Sequence, residues 1–73
     1  MEDTKAAKLL SITSYIADAE REKYEITLLL IQTQAASEQV EREQFAVYAS
    51  HRTDELDKKI VALQEQYKAI ELE

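Results

Sequence analysis

The 73-residue chain contains no cysteine, glycine or proline and carries a net charge of −6. The absence of cysteine excludes disulfides and thiolate metal sites, and the lack of glycine and proline disfavours β-hairpins and phosphate-cradling loops. The negative charge argues against binding nucleic acid or anionic lipid through bulk electrostatics, and a chain this short needs a partner, an oligomer or very good packing.

The sequence contains no segment long enough to cross a membrane. Its longest apolar run, residues 26–31, has six residues if Thr27 is counted, whereas a bilayer requires about 20. The first residues are acidic, whereas a secretory signal begins with positive charge. We therefore predict a soluble, cytoplasmic protein that does not bind membranes.

The first predicted helix runs from about residue 4 to about residue 34, with Asp3 or Thr4 as its N-cap. Apolar residues alternate three and four positions apart along it, broken only by Lys23, and form a seam of Leu9, Ile12, Ile16, Ala19, Ile26 and Leu30. A second apolar stripe on the same helix comprises Leu10, Ala17, Tyr24, Leu28, Ile31 and Ala35.

Four consecutive apolar residues in this helix predict contact with a second molecule. Successive helical residues lie about 100° apart, so these four encircle the helix, and one neighbouring helix covers only one stripe. We expect the rest of the chain to cover one side and a second molecule to cover another. Either identical hairpins cover one another or a partner's helix fills the space, and the periodicity does not distinguish the two. The four are Leu28, Leu29, Leu30 and Ile31.

A turn at about residues 35–38 is predicted to precede a second helix, from about 38 to 71, with Ser37 as its N-cap. Two alternatives stay open: a further break at Ser50–Asp54, and a single unbroken rod about 110 Å long. The second helix carries a nearly regular heptad seam, formed by Ala49, Thr53, Leu56, Ile60, Leu63, Tyr67 and Ile70. Residues 1–73 are thus predicted to form one all-α domain, a helical hairpin of two long antiparallel helices that can associate into a larger bundle.

The sequence predicts neither an enzyme nor a metal or cofactor site. His51 is the single histidine, and a helical-bundle metal site would require an acidic residue where Tyr48 stands. We interpret His51 as a solvated surface residue, and the carboxylates as solvated helix faces. Phe45 and Tyr48 lie three apart on one face, and aromatic residues are favoured anchors between helical proteins.

Two segments resemble the second helix of the small YscE/PscE-type co-chaperones of type III secretion systems. They are Gln44-Phe45-Ala46-Val47-Tyr48 and Glu55-Leu56-Asp57-Lys58-Lys59-Ile60-Val61-Ala62-Leu63. In that family, helical hairpins of similar length carry Gln-Tyr with another large apolar residue three positions after the Tyr, followed by a Leu-Glu and Ile-rich seam. The gap between these two features is one residue longer here, and the turn lacks the Gly or Pro often seen there.

The resemblance implies a bacterial cytoplasmic hairpin that pairs with a second, larger helical-repeat chaperone. Together the two would keep a needle subunit monomeric until export. The matched residues would be hairpin-core or partner-facing positions, namely Phe45, Tyr48, Leu56, Ile60 and Leu63.

The predicted partner or oligomer interface therefore combines the four-residue apolar segment with these five positions. Two alternative functions remain. One is a self-associating coiled coil or four-helix bundle. The other is an RNA-binding hairpin. The dispersed positions of the basic residues argue against it; these are Lys5, Lys8, Arg42, Lys58 and Lys59.

Overall fold

Two long helices make up the hairpin. A computed structural model describes residues 2–36 and 38–73, with side chains from Thr4 onward. Helix α1 spans Glu2–Ala36 and helix α2 spans Gln39–Glu71, with no strand in these two ranges. The Cα atoms fill a rod of 56 × 16 × 10 Å, about half the length of an unbroken helix. The prediction of an all-α hairpin with two antiparallel helices is confirmed, and the single-rod alternative is wrong.

The helices begin differently from the predicted capping pattern. Helix α1 has already started before Asp3, so Asp3 and Thr4 lie inside the helix and do not cap it. The N-cap of α2 is Glu38. Its backbone is extended (φ −68°, ψ 160°), and its side chain makes no capping hydrogen bond. Its carbonyl oxygen accepts the Arg42 N–H at 3.0 Å and so closes the first turn of α2. The predicted cap Ser37 lies outside the described residues.

Helix α2 continues without interruption through Ser50–Asp54, so the alternative of a break there is wrong. The residues Thr53-Asp54-Glu55 have the local pattern of a helix start, but the burial of the neighbouring seam residues outweighs it. Ala49 is 4% exposed and Leu56 is 1% exposed, and a break between them would lift one of the two away from α1. Burial against the facing helix therefore decides the local conformation.

The core is one apolar seam between the helices. Buried positions recur at seven-residue intervals on both helices, which is the spacing of a coiled coil. The buried residues are Ile12, Ala19 and Ile26 on α1 and Ala49, Leu56, Ile60 and Leu63 on α2. Partly buried Ile16, Leu30 and Phe45 pack against this core. The seam that the sequence predicts for α1 is thus the one that faces α2.

Ion pairs between the helices lie on both flanks of the seam. Glu22 accepts two hydrogen bonds from Arg52, Nε to Oε2 at 2.5 Å and Nη2 to Oε1 at 3.1 Å. Lys23 donates from Nζ to Asp57 Oδ1. Glu22 and Lys23 are consecutive, so their side chains project about 100° apart and the two pairs straddle the seam. Both pairs are consistent with the antiparallel register that the apolar core sets.

Candidate protein-interaction surfaces

The hairpin covers only one side of the four-residue apolar segment in α1. Leu30 is half-buried and packs against the core, whereas Leu28, Leu29 and Ile31 are 41%, 50% and 61% exposed. This distribution follows from the 100° step of the helix, because only one of four consecutive side chains points at α2. Coverage of the others by a second molecule remains a prediction.

The face of α1 turned away from α2 carries a row of exposed apolar residues, which we call the outer stripe. All six of its members are exposed. Positions seven residues apart lie almost above one another on a helix, so the stripe runs parallel to the hairpin for about 38 Å. It comprises Leu10, Ala17, Tyr24, Leu28, Ile31 and Ala35.

A second surface, which we call the flank patch, comprises the exposed residues Leu29 and Tyr48 and the partly buried Phe45. The Phe45 and Tyr48 rings lie 5.7 Å apart between centroids and are tilted by 48°, a favourable arrangement for aromatic pairs. Leu29 follows Glu22 by seven residues, and Tyr48 precedes Arg52 by four. Helical spacing therefore places the flank patch on the flank that carries the Glu22–Arg52 pair.

The nine residues predicted for the interface consequently do not form one surface. Leu56, Ile60 and Leu63 are at most 9% exposed and lie between the helices. A partner could reach them only by separating the hairpin, so the structure places them in the hairpin core rather than on a partner-facing surface. The exposed members divide between the outer stripe (Leu28 and Ile31) and the flank patch (Leu29 and Tyr48).

Sequence reasoning left part of the outer stripe out of the predicted interface. Leu10 and Tyr24 are 71% and 64% exposed and continue the stripe toward the start of α1. The seven-residue spacing of Leu10, Ala17, Tyr24 and Ile31 was visible in the sequence and was the signal that could have identified them.

The outer stripe is bordered by acidic side chains. Glu20 lies within it, four residues before Tyr24, and Glu25 borders it. Both carboxylates are exposed and have no hydrogen-bond or ion-pair partner among the described residues. Asp18 and Arg21 pair with each other at 2.6 Å. Because that pair is neutral, Glu20 and Glu25 leave two negative charges beside the stripe.

The lysines of α1 lie away from the outer stripe. Lys5 donates from Nζ to a main-chain carbonyl oxygen at the end of α2, at 3.1 Å. Lys23 is bound to a carboxylate of α2. Lys8 precedes Glu22 by fourteen residues and therefore shares its flank. The positive charges of α1 are thus directed mainly toward α2, where a cation near the C-terminal carbonyls also stabilises the helix.

A network of charged side chains surrounds Arg52. The hydrogen bonds from Arg52 hold the pKa of Glu22 below its ordinary value, with partial burial opposing this effect. The same contact raises the pKa of Arg52. Arg52 also reaches Glu55 at 3.2 Å, and Glu55 lies 2.9 Å from His51 Nε2. These exposed contacts support the hairpin register, and each contributes modestly because water screens it.

In the described ranges, no three His, Cys, Asp or Glu side chains converge in a way that could hold a metal ion. His51 is exposed at the surface of α2. An open groove of about 490 Å³ near the free ends of the helices is lined by Thr13, Ile16, Gln64, Tyr67, Lys68 and Glu71. A single carboxylate in this groove forms no acid–base pair.

Neither described helix is long and apolar enough to span a bilayer. Comparison of the chain with known protein families, curated proteins and solved structures finds no significant match. The resemblance to type III secretion co-chaperones therefore rests on residues 44–48 and 55–63 together with chain length and helicity. The fold and its surfaces define a two-helix coiled-coil hairpin with an uncovered apolar face.

Proposed function

We propose that this chain is a non-enzymatic protein-binding module that holds a partner on the outer face of α1. The observation that carries the proposal is the outer stripe, an apolar surface that the hairpin's own geometry leaves uncovered. At about 38 Å by about 10 Å it offers roughly 400 Å². Contiguous apolar patches of that size on small proteins often mark interaction sites.

Within this class, the more specific proposal is a cytoplasmic bacterial type III secretion co-chaperone. It is supported by the resemblance of residues 44–48 and 55–63 to that family. A subunit that polymerises exposes an apolar helix, and a chaperone that covers this helix lowers the concentration of free subunit. In this proposal the chain acts together with a second, larger chaperone.

Self-association is the second candidate function. The heptad spacing of Leu10, Ala17, Tyr24 and Ile31 favours it, because such a stripe can pair with its own copy as a coiled coil. The product would be a symmetric four-helix assembly with the two α1 helices in contact. Sedimentation equilibrium separates the candidates, because this one requires a dimer at low micromolar concentration without any other protein.

Co-expression with a helical-repeat chaperone and a needle subunit, followed by size-exclusion chromatography with light scattering, tests the proposal. The decisive variant is Leu28→Ser with Ile31→Ser. Val47→Ser with Val61→Ser is the matched control, because these valines are 71% and 53% exposed on α2. We expect the first variant to lose the complex and the control to keep it, both with unchanged helicity by circular dichroism.

Two outcomes would contradict the proposal. If both variants retain the partner equally, the outer stripe is not the binding surface. If the wild-type chain forms a homodimer that the stripe variant abolishes, and no partner joins it, the self-association candidate replaces the binding module.

A further inference from the structure

We infer that the segment bound by the outer stripe is a cationic amphipathic helix, with one apolar stripe bordered by Lys or Arg. The inference rests on the proposed function and names the chemistry of the partner. It follows from the charges around the stripe, from the area the stripe offers, and from the comparison with a second copy of the chain as occupant.

The charges around the outer stripe select a positively charged partner. Glu20 and Glu25 are exposed and have no ion-pair partner among the described residues. Arg21 lies in the stripe as well, seven residues before Leu28, and pairs with Asp18 at 2.6 Å, so the charged residues at the stripe still leave a net negative charge. A Lys or Arg on each side of a docked helix would find a carboxylate within reach, and complementary charges raise both association rate and specificity.

A second copy of the chain fits the same face less well. Each copy carries a net charge of −6, so association brings two like-charged molecules together. The stripe of each copy would also bring its own Glu20 and Glu25 to the interface, and juxtaposed like charges disfavour binding. Lys5 and Lys23, which could have offset them, are bound to α2.

The area of the outer stripe leads to the same choice. Its roughly 400 Å² is about half of the 800 Å² that each partner contributes to a stable interface of standard size. Apolar contact alone is therefore insufficient for a tight homodimer. A cationic helix adds electrostatic attraction to the same contact, and this attraction weakens as salt screens it.

The test uses the full chain and three fluorescent peptides of about 21 residues, or three heptads. The first has Leu and Ile at the a and d positions with Lys at the flanking e and g positions. The second has the same apolar residues flanked by Glu. The third keeps the Lys residues but replaces the apolar ones with Gln. Fluorescence anisotropy measures binding at salt concentrations from about 0.05 to about 0.5 M.

The Lys-flanked apolar peptide should bind at least about tenfold more tightly than either control peptide, and its affinity should fall as the salt concentration rises. Glu20→Gln with Glu25→Gln should weaken its binding about three- to tenfold. Asp54→Asn with Glu65→Gln removes the same charge from exposed positions on α2 and should leave binding unchanged within about twofold.

The outcomes distinguish this inference from the proposed function. Suppose that the Glu-flanked peptide binds as tightly as the Lys-flanked one, and that Leu28→Ser with Ile31→Ser abolishes the binding of both. That result would overturn the inference about charge and leave the proposed function standing. Equal binding of the Lys-rich peptide without apolar residues would show unspecific attraction and also overturn the inference. If no peptide binds and the chain is a dimer through the stripe, both are overturned.

Discussion

Substituting alanine for leucine at two positions separates the core from the outer stripe. Leu56 is 1% exposed and lies in the cluster that joins the helices, whereas Leu28 is 41% exposed on the outer face of α1. We expect Leu56→Ala to destabilise the hairpin strongly and Leu28→Ala to leave it nearly unchanged. The two variants have the same chemistry and differ only in where the side chain lies.

The magnitude follows from burial. Leu56→Ala removes buried carbons worth about 2 kcal/mol of transfer free energy, and incomplete collapse of the cavity raises the usual cost to about 2–5 kcal/mol. A two-helix layer is open to solvent on both sides and relaxes readily, so we expect about 3 kcal/mol. A chain of this length has a free energy of unfolding of about 4–11 kcal/mol, so the loss at Leu56 would remove between about a quarter and three quarters of it.

Thermal and urea unfolding followed by circular dichroism at low protein concentration measures both variants. Leu56→Ala should lower the melting temperature by about 15 °C, whereas Leu28→Ala should change the free energy of unfolding by less than about 0.5 kcal/mol. Equal destabilisation by the two substitutions would refute the reasoning, because Leu28 would then be buried in the free protein. Concentration dependence of the melting temperature would identify a second copy as the cover.

Three further predictions concern the ion pairs and the continuity of α2. Arg52 holds the pKa of Glu22 below its ordinary value of 4.5, so the stabilisation from this pair is fully present above that pH and is lost as the pH falls through the lower folded-state pKa. Glu22→Gln should therefore make the decline of the urea midpoint below about pH 5 shallower, and an unchanged decline would contradict the pairing. Lys23→Leu should raise the free energy of unfolding by about 1 kcal/mol, because the apolar burial gained in the seam exceeds the contribution of the exposed ion pair with Asp57. A decrease in stability to urea would show that the ion pair contributes more than the burial. Ser50→Pro should cost about 3 kcal/mol, because α2 is continuous there; a loss in thermal or urea stability below about 1 kcal/mol would indicate a tolerated break.

Part of the interaction surface could be predicted from the sequence. The apolar residues Leu28 to Ile31 have more faces than one helix covers, and this follows from the helical step alone. Which of the four lie exposed depends on the direction of α2. The helical spacing already separates Leu28 and Ile31, which lie on one stripe, from Leu29. That Leu29 lies on the same flank as Tyr48 depends on how α2 packs against α1.

Helix formation and the helical spacing of the apolar residues were determined by the sequence itself. The absence of glycine and proline and the alternating three- and four-residue spacing from Leu9 to Leu30 favour helix at every level. The same spacing predicted that Leu56 and Ile60 lie in a seam. These properties are local, because periodicity on a helix depends only on the 100° step between neighbours.

Only the tertiary structure decided which of the two stripes on α1 faces α2, and whether α2 bends. Both stripes have helical spacing, so the choice depends on a complementary surface elsewhere in the chain. Close packing around Ala19 and Ala49 provides it. The same packing holds α2 straight through Ser50–Asp54, where the local pattern favoured a helix start. The pairing of Glu22 with Arg52 likewise arises from side chains that are distant in the chain and meet only after folding.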